Sequence, residues 1–203
     1  KYINYFKNKN ILITGGTGLI GMPLAQMLID LGAKISIVSL DKKPKLKGKF
    51  KFLKKDLREL KNCIQICKNQ EIVFHLAGVK GSPLMTMKKP ASFLVPTVTF
   101  TFNMMEAARR SGVKRFLLTS SIGVYAKSKI FNEDSVWKTF PSENDKFAGW
   151  AKRLCELQAE AYKIQYGWDA ISIIRPANVY GPYDNFDTEN AMEVTVTYNF
   201  YAN

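Results

Sequence analysis

The chain has 203 residues, 46% of them hydrophobic and 23% charged, which is enough for one domain with a substantial core. No apolar segment approaches the length of a membrane span, so the composition argues against a membrane protein. The formal net charge of +13 allows nucleic-acid binding. However, the lysines are scattered apart from a dense group at 42–55, and their spacing with aromatic residues does not resemble that of a nucleic-acid-binding module. We therefore predict a lysine-rich solvated surface and no nucleic-acid partner.

Cysteine and histidine are both scarce. Cys63, Cys67 and Cys155 are too few for a disulfide scaffold, and His75 is the only histidine, which argues against a zinc site. We predict no metal, and we expect buried, reduced thiols in a cytoplasmic protein without an N-terminal signal peptide.

Short apolar runs typical of strands alternate along the chain with longer segments of helical spacing. The predicted strands and helices, in chain order, are strand 10–14, helix 19–31, strands 34–40 and 49–53, helix 57–68, strand 72–76, helix 90–111, strand 115–119, helix 145–166 and strand 169–174. This alternation predicts an α/β fold, a Rossmann-type doubly wound parallel sheet with helices on both faces. In such a fold, ligands lie beyond the carboxyl ends of the strands.

A glycine-rich turn, TGGTGLIG at residues 14–21, joins the first predicted strand to the first predicted helix. Gly15 permits a tight turn, Gly18 lets the backbone approach a diphosphate, and Gly21 lets the helix pack closely on the sheet. The N-terminus of the helix would present free N–H groups to the phosphates. The turn predicts a dinucleotide-binding site contacted by Gly15, Thr17, Gly18, Leu19, Ile20 and Gly21.

The Gly-x-x-Gly-x-x-Gly spacing resembles extended short-chain dehydrogenases/reductases of the NAD-dependent epimerase/dehydratase family, which includes nucleotide-sugar epimerases and reductases. The likeness extends over residues 10–190 and includes Asp56-Leu57, HLAG at 75–78, NMMEAA at 103–108 and RPANVYGP at 175–182. By this resemblance, the cofactor is also contacted by Asp56, Leu57, Leu76, Ala77 and Gly78, while Asn178 hydrogen-bonds the diphosphate of a nucleotide-sugar substrate.

The second predicted strand ends where an acidic residue would bind the adenosine ribose of NAD. Alignment with the family puts Ser39 at this place, and Asp41 follows two residues later, before Lys42 and Lys43. Asp41 favours NAD, whereas Ser39 with a lysine would tolerate the 2′-phosphate of NADP. The sequence leaves the cofactor as NAD or NADP.

Family chemistry uses a Ser or Thr, a Tyr as acid/base, and a Lys four residues after the Tyr that also binds the cofactor. Ser121 occupies the first position, where it would also contact the substrate, and Lys152 occupies the last. The tyrosine position holds Ala148, which cannot carry a proton. Three explanations remain open: Tyr125 or Tyr180 substitutes, the protein binds its ligands without turnover, or the helix is displaced.

Two function classes follow from these residues. The first is an NAD(P)-dependent nucleotide-sugar epimerase or 4-keto reductase that acts by hydride transfer at the sugar. The alternative is a catalytically silent dinucleotide-binding module, a sensor or partner subunit. A dehydratase is disfavoured because Ile122 and Gly123 stand where family dehydratases carry an Asp-Glu pair. A reductase of small carbonyl compounds is a weaker option.

The resemblance also bears on chain organisation. We predict an NAD(P)-binding domain over 1–175 and the start of an incomplete substrate-binding region over 176–203. Family members are generally longer, so we expect a C-terminally truncated chain. The family often pairs through two long helices, here 90–111 and 145–166, which predicts a homodimer.

Overall fold

The computed structural model describes residues 4–79, 81, 83–177 and 179–181. Its strands are β1 (Asn10–Thr14), β2 (Lys34–Ser39), β3 (Phe50–Lys54), β4 (Ile72–His75), β5 (Arg115–Thr119) and β6 (Ile171–Ile174). They form one sheet in the order β3-β2-β1-β4-β5-β6, and every neighbouring pair is parallel. The order reverses between β1 and β4, which is where a doubly wound sheet opens a crevice for ligands. The predicted fold class is confirmed.

The helices are α1 (Gly21–Asp30), α2 (Leu60–Cys67), α3 (Pro83–Lys88), α4 (Pro90–Arg110) and α5 (Lys146–Tyr166). The short helix α3 was not predicted from the sequence. Three 3₁₀ turns, at Ile122–Val124, Glu133–Lys138 and Glu143–Asp145, lie between β5 and α5, where the sequence analysis assigned neither a strand nor a helix before residue 145. Among the described helices, none combines the length and apolar character needed to cross a bilayer.

Two hydrophobic clusters cover the two faces of the sheet. Ile11 and Ile13 of β1 pack in a cluster with Ala25 and Leu28 of α1. Leu12, between them in the sequence, points to the other face and packs in a cluster with residues of α2, α4 and α5. Because successive side chains of a strand alternate between faces, a strand buried on both sides is apolar throughout.

Two predicted helix starts were wrong by two or three residues. The helix predicted from residue 19 begins at Gly21, because Gly18 N–H bonds the Gly15 carbonyl in a tight turn. The helix predicted from residue 57 begins at Leu60, because the Asp56 carboxylate accepts the Arg58 backbone N–H at 2.9 Å and holds a turn there.

Candidate functional site

A cleft of about 660 Å³ opens at the carboxyl ends of β1, β2 and β4. Its volume is typical of sites for small molecules and cofactors, roughly 300–1,000 Å³. The cleft is lined by every predicted cofactor contact except Lys152, namely Gly15, Thr17, Gly18, Leu19, Ile20, Gly21, Ser39, Asp41, Asp56, Leu57, Leu76, Ala77 and Gly78. The sheet therefore brings together residues that are up to 63 positions apart, from Gly15 to Gly78, although their contact with a cofactor stays a prediction.

The turn between β1 and α1 lies directly against the end of β4. Gly15 has φ +67°, and a Cβ there would lie 2.8 Å from the Ala77 nitrogen and the Leu76 carbonyl carbon. A Cβ at Gly21 would approach the Gly15 oxygen to 2.3 Å. Within the described chain, no side chain caps the N-terminus of α1. Bare backbone at a helix N-terminus suits an anionic diphosphate, so these residues fit a dinucleotide.

Three side chains meet at the rim of the cleft. The Thr17 hydroxyl donates to the Asp41 carboxylate at 2.6 Å and lies 2.8 Å from the Ser39 hydroxyl. The Ser39 hydroxyl lies 3.2 Å from the same Asp41 oxygen. The Asp41 carboxylate, which is negatively charged, therefore links the turn 15–21 to the end of β2 at the rim of the cleft.

The basic residues among the described lining of the cleft are Lys55 and Arg58. Arg58 donates to both oxygens of Asp56, at 2.5 to 3.0 Å. These hydrogen bonds hold the pKa of the Asp56 carboxyl below its usual value. Lys43, which the sequence offered as a phosphate contact, instead places its ammonium 5.0 Å from the centre of the Phe50 ring.

His75 forms a buried polar chain beneath the cleft. Its Nδ1 lies 2.8 Å from Thr14 Oγ1, and its Nε2 lies 3.1 Å from Thr101 Oγ1 on α4. Thr14 Oγ1 also accepts the Ala77 backbone N–H at 3.2 Å, so the chain supports the cleft wall. Burial, with a smaller effect of the Lys152 charge, lowers the pKa of His75 to about 3. His75 is therefore neutral and acts as a structural residue.

The predicted catalytic residues lie beside the end of β5, outside the lining of the cleft. Lys152 Nζ donates to the Thr119 carbonyl at 2.8 Å, and burial lowers the pKa of this lysine. Ser121 Oγ accepts the Gly123 backbone N–H at 3.1 Å. Both side chains are thus held at the carboxyl edge of the sheet, one strand beyond the cleft.

The tyrosine position is one turn before Lys152 on the uninterrupted helix α5, and it holds Ala148. Of the two substitutes considered, Tyr125 accepts a hydrogen bond from Arg175 at 3.1 Å, and the partly buried Arg175 forms an ion pair with the buried Glu156 at 2.8 Å. The Tyr125 hydroxyl therefore links the segment between β5 and α5 to Arg175. The side chain of Tyr180 is 65% exposed. Asn178, the predicted substrate contact, lies outside the described residues.

The cleft includes residues that the sequence analysis did not identify. Ser92, Pro96 and Phe100 line it from α4, and their spacing of four puts them on one face of that helix. That spacing was the available signal. The other lining residues that were missed are Val38, Leu40, Lys55, Arg58 and Val79.

Comparison with known proteins places the chain in a family. The model of the NAD-dependent epimerase/dehydratase family matches residues 11–199. A UDP-N-acetyl-alpha-D-glucosaminuronate decarboxylase of Bacillus cytotoxicus is 27% identical over 188 residues, which is 86% of this chain and 56% of the relative. The chain thus spans about half the length of curated relatives such as this one.

Solved structures agree with this likeness. A UDP-N-acetylglucosamine 4-epimerase from Methanobrevibacter ruminantium, in complex with UDP-N-acetylmuramic acid, superposes with a TM-score of 0.78 at 25% identity, covering 90% of this chain and 59% of that one. MoeE5 in complex with UDP-glucuronic acid and NAD gives 0.72 at 29% identity, covering 88% and 57%. On the extent of the family match, this chain belongs to the NAD-dependent epimerase/dehydratase family.

Proposed function

We propose that this chain forms the cofactor-binding part of a nucleotide-sugar epimerase or 4-keto reductase. The observation that carries the proposal is the single cleft in which the glycine turn, the end of β2 and the Leu76–Gly78 segment come together. The chain is similar to proteins that are named for a UDP-sugar or were solved with one bound, and this similarity supports a nucleotide sugar as substrate.

The proposed cofactor is NAD. Asp41 brings a carboxylate to the cleft rim beside Ser39, and a carboxylate accepts hydrogen bonds from ribose hydroxyls but repels a 2′-phosphate. Lys43 is directed towards Phe50, which weakens the case for NADP. The turn 15–21 would hold the diphosphate, and Lys152 would hold the nicotinamide ribose. When bound, NAD supplies reversible hydride transfer at the sugar.

The chain's own residues would then bind and orient the substrate. Ser121, held by the Gly123 N–H, would donate a hydrogen bond to the reacting sugar oxygen. The positive charge of Lys152 lies beside the Thr119 carbonyl, where it would favour an anionic form of a neighbouring group. We assign the start of the substrate-binding region, with Asn178, to residues 176–203. The three buried free thiols support a cytoplasmic location.

A second function is favoured by one specific observation, the alanine at position 148. Without a phenol one turn before Lys152, the site lacks the usual proton donor, and the chain would then be a dinucleotide-binding sensor or partner subunit. Both functions require the same cleft, so cofactor binding alone does not separate them.

Turnover separates the two functions. The protein is incubated with NAD(H) or NADP(H) and with UDP-, GDP-, CDP- and dTDP-sugars, and the products are separated by chromatography. An enzyme forms product, and Ser121→Ala loses that activity while still binding NAD. Tight cofactor binding without product from any sugar, by a version as long as the relatives, would leave the silent module as the function, because this chain spans only about half of their length.

We also propose a homodimer formed through α5. Apolar residues recur along its outer face at alternating intervals of three and four, a spacing typical of paired helices. This α5 seam consists of Phe147, Trp150, Leu154, Leu157, Ala161 and Ile164. Leu157 is 48% exposed and Ile164 is 78% exposed, so the described residues do not bury these two side chains of the seam. A second copy related by two-fold symmetry would present the same seam.

Size-exclusion chromatography with light scattering tests the dimer. Leu157→Lys should yield monomers, because it places a charge in the centre of the paired seams. Met27→Lys, at a 60% exposed position on α1, is the matched control and should leave the dimer intact. A monomeric parent protein at micromolar concentration would contradict the proposal.

A further inference from the structure

The Asp41 carboxylate is bonded to a residue of the turn 15–21. The strand β2 ends at Ser39, so Asp41 lies two residues beyond the sheet on an exposed segment. An exposed aspartate is ordinarily free to change rotamer, and its charge is then spread over many positions. Here its Oδ2 accepts the Thr17 hydroxyl at 2.6 Å, across twenty-four positions of sequence.

The hydroxyl groups of Thr17 and Ser39 lie within hydrogen-bonding distance of the same Asp41 carboxylate oxygen. An ionised carboxylate can only accept, so the single Thr17 hydroxyl proton lies on the 2.6 Å contact with Asp41. Ser39 Oγ accepts the Asp41 backbone N–H at 3.1 Å. Its own proton is then directed to Thr17 at 2.8 Å or to Asp41 at 3.2 Å. The cluster therefore fixes one negative charge at the rim of the cleft.

We infer that Thr17 is a specificity-determining residue, which holds the Asp41 carboxylate where it selects an adenosine ribose with free hydroxyl groups over one with a 2′-phosphate. This inference rests on the proposed binding of a dinucleotide in the cleft. A fixed carboxylate accepts from a ribose diol and repels a phosphate dianion, so discrimination comes from the repulsion as well as the attraction.

A positive charge in the cleft explains why the hydrogen bond between Thr17 and Asp41 would affect the choice of cofactor. Lys55 also lines the cleft, and it provides a positive charge that could balance a 2′-phosphate once Asp41 swings away. On this inference, the Thr17 hydroxyl keeps the negative charge of Asp41 at the rim of the cleft. Its role is to position Asp41, and its loss should alter selectivity more than the overall capacity to bind.

The test uses isothermal titration calorimetry with NAD and NADP on four variants: Thr17→Val, Thr17→Ser, Asp41→Asn and the double variant Thr17→Val with Asp41→Asn. Thr17→Val keeps the shape of the side chain and removes the hydroxyl, so the preference for NAD over NADP should fall about tenfold, the effect of one hydrogen bond to a charged group. Thr17→Ser keeps the hydroxyl and should keep the preference.

The double variant supplies the decisive measurement. If Thr17 acts through Asp41, adding Thr17→Val to Asp41→Asn should change the preference no further. Thr99→Val, which removes a hydroxyl bonded to the Val95 carbonyl on α4, is the matched control and should bind like the parent. Unfolding curves for each variant confirm that it is folded.

Three results would overturn the inference. In the first, Thr17→Val keeps the parent's preference within twofold while NAD still binds, which leaves the proposed function standing. In the second, the effects of Thr17→Val and Asp41→Asn multiply, so that Thr17 acts independently of Asp41. In the third, the parent binds neither dinucleotide, which contradicts the proposed function together with this inference.

Discussion

Lowering the pH from 7 to 5 should destabilise the folded chain by about 2 kcal/mol through His75 alone. The imidazole is 1% exposed, and burial lowers its pKa from 6.5 to about 3. As the pH falls, His75 is therefore protonated near pH 6.5 in the unfolded chain but only near pH 3 in the folded chain. Stability is complete above pH 6.5 and declines as the pH falls through this window, at about 1.4 kcal/mol per pH unit once the unfolded imidazole is charged.

Urea unfolding followed by circular dichroism at pH 7 and pH 5 measures this loss. The comparison is His75→Gln, whose amide can still bond within the polar chain but does not titrate. This variant should be less stable at pH 7, yet its free energy of unfolding should change much less between the two pH values. His75 is the only histidine, so no other imidazole contributes. Glu106, whose pKa the neighbouring Arg109 lowers to about 2, titrates below this range.

Nuclear magnetic resonance provides a direct check, because a chain with one histidine gives one set of imidazole signals. These signals should not shift between pH 7.5 and pH 5 in the folded protein. Titration of the folded imidazole near pH 6.5 would refute the reasoning. A parent and a His75→Gln variant that lose equal stability between pH 7 and pH 5 would refute it as well.

Three further changes have defined outcomes. Gly21→Ala should lower the free energy of unfolding by at least about 2 kcal/mol, because the new Cβ would lie 2.3 Å from a backbone oxygen, whereas Gly78→Ala meets nothing within 4 Å. Glu156→Gln should cost about 2 kcal/mol in chemical unfolding, since it removes the charge partner of Arg175 at a buried position, whereas the exposed Glu160→Gln should cost less than about 0.5 kcal/mol. Ala148→Tyr should raise turnover of the accepted nucleotide sugar by about 100-fold or more, the usual gain from a general acid–base group.

Matched variants make these outcomes decisive. Equal stability of Gly21→Ala and Gly78→Ala would show that the turn relaxes around a methyl group. Equal effects of the two glutamine substitutions would mean that the ion pair contributes no more than a surface charge. For the tyrosine, Phe147→Tyr is the control, because residue 147 points 100° away from residue 148 on the helix. A gain in both variants, or in neither, would contradict the assignment of position 148.

The cleft, which is the proposed cofactor half of the site, could be predicted because its constraints are local. The turn 15–21 needs glycines at set intervals, and a backbone that touches another backbone leaves no freedom in residue type. The strand ends were equally accessible, because parallel strands bring their carboxyl ends to one edge of the sheet. Position along the chain was then enough to place Asp56 and the Leu76–Gly78 segment in the cleft.

Other features depend on contacts that no local pattern reveals. The bond between Thr17 and Asp41 joins two loops that the parallel sheet was predicted to bring to one edge, but nothing in either segment indicates that the two side chains bond. The start of α2 was misplaced because Leu57 has helical spacing but is held in a turn, where its carbonyl accepts from Asn103 of α4. Tertiary contacts of this kind override propensity, so helix ends are less predictable than the existence of the helix.

The two halves of the site also differ in how much a single substitution can remove. A diphosphate would be bound by many backbone groups of the turn, so any one side chain there contributes only part of the affinity. Proton transfer, in contrast, depends on one titratable group at one place, and an alanine at position 148 removes the group that the family uses there. If the cleft binds a dinucleotide as proposed, it would do so with or without the chemistry, so the intact cleft favours neither proposed function over the other. The residue one turn before Lys152 distinguishes them, which is why the Ala148→Tyr variant carries more information about function than any change within the cleft.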